Sequence, residues 1–566
     1  MSWDSEYDIV CIGSGVGGLS AALTGAEQGA SVLVVDKFHL VGGVTALSSG
    51  QLWPGPTHVS EAAGIDDQAS SAQAYIDHLS QGFADPELRR SYLADCRGAI
   101  QYFTDTIGLE LQVVRDLPDY YYPAVKGSAP QGRFLEIKPF PARKLLGAEW
   151  AGKILTSPYG DGYSYATGAE FVAMQVKGSE HVGACLQRHV EADERCCGAG
   201  LAAAQVYAAL QRGVKIQTST EVVELVVEDG RVTGVRAIVR DSSSSSTSSS
   251  SSSSSSSTQR IRARRGVLLA TGGYDLRPDL VRSFDGLIDA GNMTLPTITG
   301  DHLTLAATVG AIAYPAHPAA LTAIFVGYQI PGEVVYGKAT WRLHLPGAPH
   351  SIVVNARGHR FANDSFYPDV SAKAGRYDGQ EQGLVNWPAW LVFDQDFVDK
   401  YNLLPAYPGQ PLPAGISVNA DTLEGLAAVT GIDADGLAAT VQRFNGFCET
   451  GVDEDFGRAS LPWGTILTGD YRLPHPGFAA IARPPFYAVQ LQRVTVGVPT
   501  AGLPINRDAS VLTATGHVVP GLYAAGNAAL YNDWGAGYNS GVANMRGMLY
   551  GHKAALHMLQ DKNAAG

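Results

Sequence analysis

Hydrophobic positions along the chain recur with two periods, and their order predicts an α/β protein. Tyr7–Ile12 is an apolar strand running into a glycine turn, Leu19–Gln28 has helical periodicity, and Ser31–Val35 is a second strand. Glu221–Val227 alternates like a strand and meets a turn at Asp229-Gly230. RVTGVRAIVR and QRIRARRGVLLATGG read as strands on either side of a serine tract, with Gly266–Ala270 fully apolar. Near the C-terminus, GLYAAGN followed by GVANMRGMLYGHKAALHML repeats the strand-then-helix pattern. Strand and helix material of one kind therefore stands at both ends of the chain. Residues 297–475 have a different texture, richer in Pro, Tyr and Trp, with a helix expected over Leu426–Phe447. The expected architecture is a Rossmann-like α/β domain from residues 1–296 and 476–566, with an inserted α+β substrate-capping domain over 297–475. Residues 242–258, almost all Ser, are expected to form a disordered hairpin tip.

Composition narrows the function. The 566 residues are 45% hydrophobic and 17% charged, enough apolar material for a large core. Forty-one Lys and Arg against 54 Asp and Glu give a net charge of −13, a poor balance for binding nucleic acid through phosphates. Six scattered cysteines form no disulfide framework, which suits a reducing compartment. The longest apolar patch, Ala319–Tyr328, falls short of the ~18 residues of a membrane span and is expected in the core or in a pocket wall. A cytoplasmic protein is expected, with peripheral membrane contact left open. No His, Cys and carboxylate residues stand at metal-ligand spacing.

The clearest chemistry lies at the N-terminus. Gly13-Ser14-Gly15-Val16-Gly17-Gly18 fits G-x-G-x-x-G between an apolar strand and a helix. Gly13 permits the tight turn, Gly15 lets the backbone approach a pyrophosphate, and Gly18 lets helix and strand pack closely. The diphosphate then meets the positive end of that helix. Asp36, at the end of the second strand, is placed to accept hydrogen bonds from ribose hydroxyls. Lys37 and a second small-residue stretch follow, with Gly42, Gly43, Val44, Thr45, Ser48, Ser49 and Gly50. Glycines and hydroxyls so close to the first loop suit a flavin's diphosphate and ribityl. Ala270, Thr271 and Gly272 at a strand end, Asp301 after Thr299-Gly300, and Gly526 with Asn527 complete the cofactor set.

These segments, together with LPDYYYP, VEDGRVTGV, VVNARGHRFANDS, GVDEDFGR and PPFYAVQL, resemble the flavoproteins of fumarate reductase, succinate dehydrogenase and 3-ketosteroid dehydrogenases over nearly the whole chain. The resemblance is strongest to the 3-ketosteroid Δ1-dehydrogenases. It implies non-covalent FAD, Val222 against the adenine, and a helix beginning at Gly541 and Val542 aimed at the isoalloxazine. It also implies a bulky cyclic ketone or steroid as substrate and an external electron acceptor, a quinone or O2. A base would take the α-proton while the β-hydrogen leaves as hydride to flavin N5. Tyrosines suit such a site if neighbours pull a phenol below its usual ~10.

By the resemblance, Tyr367 is the base and Tyr120 assists it. The family reads Pro-Tyr where this chain reads Tyr367-Pro368, so the phenol is shifted by one residue. The family's ketone-binding tyrosine falls on Asp533, and its glycine four residues later is Gly537. Either the alignment slips, with Tyr531, Trp534 or Tyr538 supplying the donor, or the substrate differs. The segment QRVTVGVPTAGLPIN departs from the family's glycine-rich turn and keeps only Thr500-Ala501-Gly502. A fumarate-reductase-like activity would need cations to clamp two carboxylates. Arg342 and His344 are candidates, although a surface strand is the simpler reading of both. An ene-reductase, a Δ4-type steroid dehydrogenase and a non-catalytic flavin sensor are the other readings.

Overall fold

The computed structural model describes residues 2–160, 162–177, 179–240, 256–316 and 324–560. The N-terminal strand Ser5–Ile12 lies at the centre of an eight-stranded sheet, parallel to Val32–Val35 on one side and to Ser256–Leu269 on the other. Lys215–Gln217 extends the sheet beyond Val32–Val35, and the late strand Val518–Ala524 joins beyond Ser256–Leu269. The central strands are buried on both faces, which explains their unbroken apolar runs. The first helix Val16–Glu27 packs on the C-terminal helix Val542–Gln560 through glycines. A Cβ at Gly551 would overlap the Gly17 carbonyl oxygen, and one at Gly547 would stand 2.6 Å from Val16 Cγ1.

Arg231–Arg240 and Ser256–Leu269 form an antiparallel pair with Arg240 opposite Ser256. Ser256, Ser257 and Thr258 are therefore strand residues rather than hairpin tip. The rest of the serine tract, 242–255, lies outside the described residues. The expected helix Leu426–Phe447 is two helices, Leu423–Thr430 and Ala434–Thr450. Gly431 ends the first with φ 76°, and Asp433 caps the second by accepting from the Gly436 N–H at 2.7 Å.

A second layer carries two four-stranded sheets. One pairs Ile324–Tyr328 with Arg342–His344 and Gln492–Thr495, and the other pairs Ser351–Asn355, Ala389–Phe393 and Phe486–Gln490. The expected boundaries at 296/297 and 475/476 cut through this layer, because Gly291–Asn292 and the strands up to Thr495 pair within it. Of the apolar patch Ala319–Tyr328, the described part is a strand whose Phe325 lines the central cavity. No helix among the described residues is long and apolar enough to cross a membrane.

Candidate active site

A cavity of about 910 Å³, lined by residues of both layers, runs through the molecule. At one end it is walled by Gly13, Ser14, Gly15, Gly17, Asp36, Lys37, Thr220 and Val222. Gly13 adopts φ 109°, open to glycine without strain, and a Cβ there would overlap the Ala270 carbonyl oxygen. A Cβ at Gly15 would meet only Thr45 Oγ1 at 3.5 Å, so the loop presents bare backbone to the cavity. Gly526, φ 65°, also lines it and has no neighbour within 4 Å of a would-be Cβ. Gly43, Val44, Thr45, Ser48, Ser49, Ala270, Thr271, Gly272, Asp301, Asn527 and Gly541 complete the expected lining. A long cleft with bare backbone at a helix N-terminus and hydroxyls along its wall fits a dinucleotide as large as FAD.

Two of the lining residues also hold the protein's own groups, and others of the expected set stand behind the wall. Asp36 accepts from the Ser14 N–H at 2.8 Å, the Ser14 hydroxyl at 2.6 Å and the Phe38 N–H at 2.8 Å. Its carboxylate shapes the glycine loop through these bonds, two of them on Oδ2 and one on Oδ1. Lys37 is tied to Thr299, Asp301 and Glu221. Gly18, Gly42, Gly50 and Val542 do not line the cavity. A Cβ at Gly18 would strike the Gly13 carbonyl, at Gly42 the Ala46 and Ala202 side chains, and at Gly50 the Cys197–Gly198 backbone. These three are close-packing glycines, and Val542 is fully buried in the first turn of the C-terminal helix.

The other end of the cavity carries phenols. Tyr120 and Tyr538 both line it, with ring centroids 6.2 Å apart. The Tyr120 hydroxyl lies 3.2 Å from the Tyr367 hydroxyl, so residues 247 apart in sequence meet despite the reversed Tyr-Pro order. Tyr367 opens the helix Tyr367–Ala374, where Pro368 sits in the first turn at no hydrogen-bond cost. Tyr367 itself is not among the lining residues. Phe325, which lines the cavity, stacks on its ring at 4.1 Å and 16°. Phe325, Trp463, Ser540 and Gln51 also line this end. Phe325 belongs to the apolar patch expected in the core or in a pocket wall; the sequence reading missed the other three, because an isolated aromatic, hydroxyl or amide carries no motif.

No phenol here is pulled down. Burial pushes Tyr120 up, partly offset by hydrogen bonds with Tyr367 and Ser540. Burial also raises Tyr367 and Tyr538, and the neighbouring phenols add to it. The expected depression fails because no unpaired cation faces the hydroxyls. Among the described residues, Lys37 and Arg342 are the cations lining the cavity, and each has a carboxylate partner.

The loop Tyr531–Asn539 resolves differently from its alignment. Asp533 is a fully buried counter-ion. It accepts from Arg546 Nε at 2.6 Å and from the Tyr550 hydroxyl at 3.1 Å, away from the cavity. Tyr531 lies under the Arg546 guanidinium and donates to Asn527 Oδ1 at 2.8 Å. Trp534 packs edge-on against Trp53 and Tyr92. Gly537 faces Leu79, and its N–H points to the Trp534 carbonyl at 3.4 Å. None of Tyr531, Trp534 and Gly537 lines the cavity, whereas Tyr538 does. Ala501–Gly502 of the divergent turn pairs with Tyr314–Pro315, and Val496, Gly497 and Val498 line the cavity instead.

An apolar stretch of the cavity wall is formed by Phe171, Met174, Val182 and Leu186 of the helices Gly168–Lys177 and Ser179–Ala192 and by Leu404 and Tyr407. Arg342 and His344 are buried, not on a surface strand. Arg342 pairs with Glu333 and rests over the Tyr159 ring at 4.5 Å. His350, Asp394 and Asp396 come together, but they offer no open ligand set. Asp394 accepts from the N–H groups of Phe397, Ala482 and Arg483, and His350 contacts the Ala480 carbonyl and Lys400.

The FAD binding domain family matches residues 8–544. The chain is 33% identical to a 3-oxosteroid 1-dehydrogenase of Mycobacterium tuberculosis over 98% of both chains. It is 30% identical to a 4-oxocyclohexanecarboxylate 2-dehydrogenase of Sinomonas cyclohexanicum over 96% of this chain and 90% of the other. The structure matches the 3-ketosteroid Δ1-dehydrogenase of Sterolibacterium denitrificans in complex with 1,4-androstadiene-3,17-dione. The TM-score is 0.85 with 28% identity, over 99% of this chain and all of that one. With a glycine-lined cleft at one end and a phenol cluster at the other, the chain is a flavin-dependent oxidoreductase of the FAD-binding family that includes the 3-oxosteroid 1-dehydrogenases.

Proposed function

We propose that the protein desaturates a bulky cyclic ketone, a 3-oxosteroid, next to its carbonyl. The observation that carries this reading is a largely apolar cavity wall that carries the phenols of Tyr120 and Tyr538, with Tyr367 in hydroxyl contact with Tyr120. Bound FAD supplies the hydride acceptor, held by the residues around Gly15, Thr45, Gly526 and Gly541. An external acceptor, a quinone or O2, then takes the electrons.

The chain's own contribution is proton handling and placement. Tyr120, the phenol open to the cavity, takes the α-proton as phenolate. Tyr367 shares that charge through the 3.2 Å hydroxyl contact, in a supporting role, stacked on Phe325. This reverses the order that the alignment suggests. Tyr538 donates its hydroxyl hydrogen to the ketone oxygen, where negative charge grows as the α-proton leaves. Loss of the β-hydrogen with its electron pair completes the C=C bond. A dicarboxylate substrate fits poorly, because two carboxylates would face an apolar wall and cations already paired. One relative is named for a smaller cyclic ketone with a single carboxylate, 4-oxocyclohexanecarboxylate.

The test is anaerobic mixing of the holoenzyme with 4-androstene-3,17-dione, cyclohexanone or succinate while following the flavin's visible absorbance. The steroid is expected to bleach it and to yield the 1,4-diene. Bleaching by succinate alone would overturn the reading.

A further inference from the structure

Asn539 is fully buried and lies between Tyr538 and Ser540, two residues of the cavity wall. Its Oδ1 accepts from the backbone N–H of Tyr120 at 3.1 Å and from the Tyr75 hydroxyl at 2.8 Å. Those partners are 419 and 464 residues away along the chain. A backbone N–H can only donate, so the atom facing it must be the carboxamide oxygen. The Nδ2 group donates to the Ser540 carbonyl at 3.2 Å, and the Asn539 carbonyl accepts from the Val542 N–H at 3.2 Å in the turn that starts the C-terminal helix.

The other side of the Tyr120 backbone is also held. Asp119 is buried and accepts from Trp53 Nε1 at 2.8 Å, Arg133 Nη1 at 2.8 Å and the Ala129 N–H at 2.9 Å. The Asp119–Tyr120 peptide is thus clamped between an ion pair and one carboxamide. Only that carboxamide also belongs to the segment carrying Tyr538 and Ser540. Ser540 donates to Gln51 Oε1 at 2.9 Å.

We propose that Asn539 is a positioning residue that sets the distance between the proton-accepting phenol, Tyr120, and the ketone-holding phenol, Tyr538. Asn is the side chain that answers two donors and one carbonyl in so short a reach. Leu matches its size and offers nothing to either donor, and Gln would overreach. The inference rests on the reading of Tyr120 as the reacting phenol. A misplaced base costs rate more than binding, since the apolar wall still grips the substrate.

The experiment is anaerobic stopped-flow reduction of the holoenzyme by 4-androstene-3,17-dione, giving a limiting rate constant and a substrate Kd for each variant. Asn539→Leu is expected to keep FAD, to lower the limiting rate at least tenfold and to leave Kd within about threefold. Tyr75→Phe removes one donor outside the cavity, covers the case in which Asn539→Leu does not fold, and is expected to lower the rate about threefold. Tyr550→Phe removes a comparable buried hydrogen bond from the Asp533 network and controls for a general loss of rigidity. Wild-type limiting rates in Asn539→Leu or Tyr75→Phe, or an equal loss in Tyr550→Phe, would overturn the inference. Tyr120→Phe separates the two levels. If it reduces normally, the reading of Tyr120 fails; if it is inactive while Asn539→Leu is normal, only the positioning role fails.

Discussion

At the scale of single residues, charge and burial decide the chemistry. Every phenol at the catalytic end is raised by burial, so a phenolate base is scarce at neutral pH. Well below a group's pKa its deprotonated fraction grows tenfold per pH unit. The limiting rate of flavin reduction is therefore expected to climb about tenfold per unit from pH 6 to 9 without a plateau; a profile flat above pH 7 would contradict a raised phenol base. Asp533 shows how far one residue was legible. Its place in the sequence suggested a ketone-binding position with the wrong charge. Its partner Arg546 lies on the next helix, and no local pattern joins the two. Removing the carboxylate in Asp533→Ala strands a fully buried guanidinium and is expected to cost about 3–5 kcal/mol of stability, read from urea unfolding. A loss below 1 kcal/mol would contradict the pairing.

At the scale of elements, the strand–glycine loop–helix at the N-terminus and the strand–helix at the C-terminus were legible, because period and glycine spacing report burial and close approach directly. The second layer was much less legible. Its strands are short, many of two or three residues, and they pair across long separations, as Phe325 does with Val494. Nothing in a window of 15 residues carries that pairing. The break at Gly431 was also missed, since apolar periodicity resumes on the far side. The strands around the serine tract support a sharp expectation. Arg240 and Ser256 are register partners, so replacing residues 241–255 with Asn-Gly closes the hairpin with a two-residue turn. Flavin content, melting temperature and turnover are expected to stay at wild-type values, and loss of flavin would show that the tract matters.

At the scale of the whole molecule, both ends of the chain build one site. The first helix and the C-terminal helix touch backbone to backbone at Gly17 and Gly551, and the residues around Gly15 and Gly541 line the same cavity. Gly551→Ala drives a methyl group into the Gly17 carbonyl and is expected to weaken FAD retention at least tenfold, measured by flavin release on dilution. The phenol cluster likewise joins residues 120, 367 and 538, which only the closed fold brings together. That is why the glycine loop was legible in a short window of sequence, whereas which of the phenols line the cavity was not. The most direct measurement is the limiting rate of anaerobic flavin reduction by 4-androstene-3,17-dione in Tyr120→Phe beside Tyr367→Phe. The expected result is a loss of 10²- to 10⁴-fold in Tyr120→Phe and a clearly smaller loss in Tyr367→Phe. A Tyr367→Phe variant that loses as much or more, with Tyr120→Phe only mildly slowed, would contradict the assignment of the cavity-facing phenol as the base.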